Sequence, residues 1–256
     1  MRNRHDFRPQ EPGYGLLTLR DEGMPIPLST FLTFLQTRNN VHLWTEKEPT
    51  GMGKGESQVL ASSNGAFDIV ALAASAGGLR ALSQVLAALP AEFPAAIVVV
   101  QHLDPRHRSL MSDILSRRTP LQVKQAAEGD RLRPGTAYIA PPNRHLLVNT
   151  DATLSLSQSE LVHFVRPSAD LLFESVAASF KDRAIAVVLS GTGSDGSMGV
   201  KAIKNMGGTV IVQDERTSEF FGMPGAAAQT GSVDFILPLE EIASALVTLV
   251  VTGDVG

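Results

Sequence analysis

A chain of 256 residues, 43% of them hydrophobic, is long enough for one large core or two small ones and too apolar for global disorder. Its formal net charge of −4 argues against a nucleic-acid binder that relies on a broad basic surface. With no cysteine there is no disulfide framework, thiolate nucleophile or thiolate metal site, which suits a reducing cytoplasm.

No apolar run approaches the roughly 18–20 residues of a membrane span. The basic N-terminus, Met1 to Arg8, has no apolar stretch behind it, so a secretory signal is not expected and the protein reads as cytoplasmic. Residues 1–65 contain Pro9, Pro12, Pro25, Pro27 and Pro49 and a Gly51–Gly55 run, and read as an N-terminal extension or linker. Only Leu28 to Gln36 shows a short amphipathic helical pattern there. Residues 66–252 read as one α/β domain.

From Phe67 strands alternate with helices. A buried strand over Asp68–Ala73 leads through Ser75, Gly77 and Gly78 into a helix over Gly78–Ala88. Pro90 and Pro94 close that helix, and Ala96–Gln101 is a second buried strand. A helix follows from about Arg106 to Arg118, before Pro120. Between Gly135 and Ser157, short apolar pieces at Ala137–Ala140, His145–Val148 and Thr153–Leu156 are separated by turn residues, the pattern of a β-hairpin or meander inserted between α/β units. Ser168 caps a helix running to Phe180, and Ala184–Ser190 is a third buried strand. The loop Gly191–Gly196 opens a helix that stops at Gly207–Gly208, Thr209–Gln213 is a fourth strand, and Pro224–Gln229 and Leu239–Val250 are closing helices. This alternation predicts an α/β fold: a doubly wound, mostly parallel sheet with flanking helices and a hairpin or meander insertion.

Ser75 ends a buried strand beside a helix N-terminus, where open α/β sheets place ligands and where free backbone amides favour developing negative charge. A serine hydroxyl attacks only when a base takes its proton and a third group holds the base. His102 directly follows the second strand and Asp195 lies in the loop after the third, so all three candidates end parallel strands on one sheet edge. Each also has a plain structural reading: a helix cap, a hydrogen-bonding loop histidine, a first-turn charge. His107, His145 and His163 lack that placement and read as surface or loop residues. No spacing of histidines and carboxylates suggests a metal site.

Gly191-Thr-Gly193-Ser-Asp195-Gly196 also has the outline of a dinucleotide fingerprint. Asp195 argues against it, since two like charges about 4 Å apart cost about 4 kcal/mol at an effective dielectric near 20.

These stretches resemble the catalytic domain of the CheB family, the chemoreceptor glutamate methylesterases, over about Phe67 to Leu249. The resemblance is carried by Ala74-Ser75-Ala76-Gly77-Gly78, Val100-Gln101-His102, Leu132-Arg-Pro-Gly135, Tyr138-Ile-Ala-Pro141 and Asn143-Arg-His145-Leu. Further on it is carried by Arg166-Pro-Ser168-Ala-Asp170, Leu189–Gly196 and Gly222-Met-Pro224. It implies Ser75 as nucleophile, His102 as base and Asp195 as orienter. The backbone amides of Ala76 and Thr192 would form the oxyanion hole, and no cofactor or metal is expected. The implied partner is a methylated chemoreceptor, whose γ-glutamyl methyl esters the family hydrolyses; some members deamidate receptor glutamines.

Two departures stand out. The family usually has Thr at the position of Ala76 and Met at that of Thr192. The 66 residues before Phe67 are also too few for the family's phosphorylatable receiver domain, so activity is expected to be constitutive or controlled by another protein. Two other readings stay open: a non-catalytic binding module that keeps the fold, and a nucleotide-binding protein using Gly191–Gly196.

Overall fold

The computed structural model describes residues 67–102 and 110–251. The expectations for residues 1–65, for His107 and for the start of a helix near Arg106 lie outside these residues.

Strands β1 (Ile69–Ala74), β2 (Ala96–Gln101), β7 (Ala184–Val188) and β8 (Thr209–Gln213) are buried at every position. That explains their unbroken apolar runs, because a parallel sheet covered on both faces has no reason to alternate. With β3 (Gln122–Gln125), β4 (Thr136–Ile139) and β9 (Phe235–Leu237) they form a seven-stranded sheet in the order β3-β4-β2-β1-β7-β8-β9, parallel throughout. The chain enters at β1, builds outward to one edge, then returns to lay β7 on the other side of β1. The order therefore reverses between β1 and β7, where a doubly wound sheet opens a crevice at its carboxyl edge.

On one face of the sheet, Ile69, Ala71 and Ala73 of β1, Val98 and Val100 of β2 and Val210 and Val212 of β8 join one apolar cluster. The cluster takes in α3 (Ala169–Phe180), α4 (Ser197–Asn205) and α5 (Gly222–Ala228). The alternate residues Val70, Leu72, Ile97, Val99 and Ile211 are equally buried. On that side α1 (Gly78–Ala87) packs against α6 (Leu239–Val251), and α2 (Met111–Ser116) packs against β3.

The insertion takes the hairpin form. Strands β5 (His145–Val148) and β6 (Leu154–Ser157) pair antiparallel as a separate ribbon, with β5 packed on α3. The first of the three predicted pieces is instead β4, a main-sheet strand paired in parallel with β2 and β3. Sequence reading missed β3 and β9. The first, Gln-Val-Lys-Gln, is a largely exposed edge strand with no apolar run, and the second has only three residues.

Candidate active site

The turn after β1 is built by two glycines with different tasks. Gly77 has φ +75°, a left-handed backbone that other residues adopt only at a cost, and it leads directly into α1. Gly78 is required for space: a Cβ there would sit 2.1 Å from Gln101 Oε1. Gln101 Nε2 in turn donates to the Ser75 carbonyl at 2.7 Å, and the Ser75 N–H donates to Ser190 O at 3.0 Å, so the serine's backbone is tied to both neighbouring strands. Ala74 lies opposite Gln101 in the β1–β2 register, and the His102 N–H donates to Ala74 O at 3.1 Å. Ser75 and His102 therefore leave adjacent strands side by side. Gly191, just past β7, completes the approach, because a Cβ there would meet Ser75 Cβ at 2.9 Å and Met223 Sδ at 2.4 Å.

Asp195 is 3% exposed, and its carboxylate is saturated with donors. Oδ2 lies 2.8 Å from His102 Nε2 and accepts from the Ala169 N–H at 2.6 Å. Oδ1 accepts from Ser168 Oγ at 2.8 Å and from the Asp170 N–H at 3.1 Å. Burial alone would push this carboxyl up. The hydrogen bonds from His102, Ala169 and Asp170 outweigh burial and hold it below the usual carboxylate range. The other three donors, from Ser168, Ala169 and Asp170, come from the start of α3, whose helix dipole also favours an anion there.

The imidazole of His102 thus gives Nε2 to Asp195. Its Nδ1 has no hydrogen-bond partner among the described residues, and the Ser75 hydroxyl and the ring are not hydrogen-bonded to each other. Around the same turn, the Ala76 and Thr192 amides donate to no acceptor among the described residues. Ser190 Oγ donates to Ala76 O at 2.8 Å and accepts from the Phe220 N–H at 3.0 Å, joining the Ser75 turn to the segment before α5. Gly222 lets that segment lie against the β7–α4 loop, with a hypothetical Cβ 3.0 Å from both Gly191 O and Gly193 N. That close approach accounts for the Gly222-Met-Pro224 motif.

All five residues singled out by sequence sit on the carboxyl rim: Ser75 and Ala76 after β1, His102 after β2, Thr192 and Asp195 after β7. Sequence reading missed what holds Asp195. Ser168 is the N-cap of α3, as predicted, but its hydroxyl also donates to Asp195. His145 corrects an expectation: far from lying on the surface or in a loop, it is fully buried on β5. Its Nδ1 accepts the Ser168 N–H at 3.1 Å and its Nε2 lies 3.0 Å from Glu160 O, so the ring braces the residue that braces Asp195. The Asn143-Arg-His145-Leu motif was the available signal, though spacing alone named no partner. His163, by contrast, is half exposed.

The nucleotide reading loses its physical basis. The amides of Met198 and Gly199, which a phosphate would need at the start of α4, both donate to Asp170 Oδ1, at 2.9 and 2.7 Å.

Fold and rim together define a class: doubly wound α/β proteins that gather a serine, a histidine and a buried carboxylate where the strand order reverses. Within that class the chain belongs to the CheB methylesterase family, whose sequence model matches residues 70–246. It is 44% identical over 188 residues to a protein-glutamate methylesterase/protein-glutamine glutaminase of Moorella thermoacetica, covering 72% of this chain and 44% of that one. A protein of the same designation in Burkholderia lata is 42% identical over 189 residues, covering 74% and 57%. The chain thus spans about half the length of these two relatives. A Leptospira interrogans relative, provisionally named for the same two activities, is 40% identical over 183 residues and is covered over 95% of its length. The crystal structure of the Thermotoga maritima CheB methylesterase catalytic domain superposes with a TM-score of 0.69 at 37% identity, covering 72% of this chain and 98% of that one.

Proposed function

We propose that this chain is a cytoplasmic serine hydrolase, with residues 66–252 as its catalytic domain, that cleaves glutamate γ-methyl esters on chemoreceptors and releases methanol. The observation that carries the reading is the His102–Asp195 pair, with Asp195 held by the first turn of α3, next to a serine at the switch point of the sheet. In the proposed reaction Ser75 Oγ attacks the ester carbonyl and its proton passes to His102 Nδ1, the nitrogen that Asp195 leaves unengaged. Asp195 fixes that tautomer and stabilises the imidazolium. The Ala76 and Thr192 amides receive the tetrahedral oxyanion, a role that needs backbone donors and is indifferent to the missing Thr and Met side chains. Collapse of this intermediate breaks the C–O bond, and His102 returns the proton to the leaving methoxide as methanol departs. Water, deprotonated by the same ring, then attacks the acyl-enzyme and frees the glutamate carboxylate. A glutamine substrate would follow the same path with ammonia as leaving group, which is the deamidase activity.

Ser75→Ala removes the attacking oxygen at a half-buried side chain that makes no hydrogen bond to the triad ring. Methanol release from methylated receptor membranes should vanish while the thermal melt stays within about a degree of wild type. Turnover that survives the change removes Ser75 from the mechanism.

A further inference from the structure

Asp170 is buried, 3% exposed, and has no part in the reaction above. Its backbone N–H donates to Asp195, while its own Oδ1 accepts the Met198 and Gly199 amides at the start of α4. The arrangement is reciprocal: Asp195, from the loop before α4, caps α3, and Asp170, from the first turn of α3, caps α4. Two carboxylates thus lie between two helix N-termini. Gly199 permits the close approach, since a Cβ there would meet Phe173 Cβ at 2.6 Å and Asp170 O at 3.0 Å. Asp170 Oδ2 is buried and accepts no hydrogen bond among the described residues, yet His163 Nε2 stands 3.2 Å from it. His163 is delivered there by a tight turn in which Val162 and Val165 exchange backbone hydrogen bonds. His163 and Phe164 both have left-handed φ, +48° and +63°, a backbone that non-glycine residues keep only where surroundings impose it.

We propose that Asp170 is a positioning residue for the triad and His163 its counter-ion, so that the charge on this pair sets how readily His102 takes and releases a proton through Asp195. The inference rests on the hydrolase reading for its consequence, but the electrostatic coupling exists without turnover. Burial pushes the Asp170 carboxyl up; the Gly199 and Met198 amides and His163 act against burial, and Asp195 acts with it. Among the described residues, the titratable groups around Asp170 are His163 from the preceding turn, Asp195 from the β7–α4 loop and His102 beyond it. Behind Ser168 lies His145 of β5, and Glu174 follows one turn further along α3, its own carboxyl pushed up by burial and by Asp170. An anion at Asp170 favours imidazolium at His102, and a cation at His163 opposes that effect.

The test uses the full chain and two readouts: the His102 ring titration by NMR, and kcat/KM against pH for methanol release from a helical peptide with one glutamate γ-methyl ester. Asp170→Asn keeps an oxygen for the α4 amides and removes the charge. It should move the His102 midpoint and the acid limb to lower pH by about half a unit, a threefold change in proton affinity, with KM unchanged. His163→Ala should move both to higher pH, and His163→Arg should return them to the wild-type position or below it. If Asp170→Asn does not fold, the His163 pair decides alone. A His102 midpoint that stays put in every folded variant overturns the inference. Shifts in the ring titration without methanol release from wild type overturn the hydrolase reading alone.

Discussion

Replacing Asp195 by asparagine separates two tasks of one carboxylate. In the native site each oxygen accepts one backbone N–H, that of Ala169 at Oδ2 and that of Asp170 at Oδ1, besides one side-chain donor. Asparagine keeps a single oxygen. Whichever way its amide turns, its NH₂ faces one of those two N–H groups, and a buried donor left without an acceptor costs about 1–3 kcal/mol. Loss of the charge at the start of α3 adds about 0.5–1 kcal/mol. The sum, about 1.5–4 kcal/mol, corresponds to a fall in Tm of about 3–16 °C for a domain of this size. The catalytic loss should be larger, on the order of 10⁴-fold in kcat, because the neutral amide neither selects the tautomer nor stabilises the imidazolium. Melting followed by circular dichroism and methanol release at a temperature well below the melt measure the two effects separately. The pH dependence carries a third signature. Since the folded Asp195 carboxyl is depressed, its stabilising contribution is present above the unfolded pKa and is lost as pH falls through the folded one. The variant's stability should therefore decline less steeply in acid than that of wild type. Turnover within tenfold of wild type, or an unchanged melt, refutes this account of Asp195.

Gly199→Ala places a methyl group against Phe173 and the Asp170 carbonyl, so α3 and α4 must separate; the expected cost is about 1–3 kcal/mol, read by chemical denaturation, and an unaltered midpoint would show that the close approach is not needed. NAD should give no thermal shift, because Asp170 already occupies the amides at the start of α4; a shift of several degrees would revive the nucleotide reading.

Much of the fold was legible because its causes are local. Buried strands write unbroken apolar runs, glycines mark the turns that need positive φ or close approach, and Ser168 marks the N-cap of the helix that begins at Ala169. The carboxyl rim followed from the same marks, since a residue directly after a buried parallel strand has nowhere else to be. The edge strand β3 was illegible because its side chains face water and carry no apolar pattern. His145 was misplaced because a histidine reads as polar until a partner is known, and its partner is a backbone N–H 23 positions away.

Neighbours along the chain were enough to place the buried strands, most of the helices, and Ser75, His102 and Asp195 at strand ends, but not β3 or β9, which carry no apolar run of strand length. Tertiary structure alone decided that β7 lies against β1 and that Asp195 turns to the start of α3. It alone made Asp170 return the arrangement at the start of α4 with His163 beside it. Those are pairings of charge and unsatisfied amides across the sheet edge, and they exist only once two helix N-termini have been packed side by side.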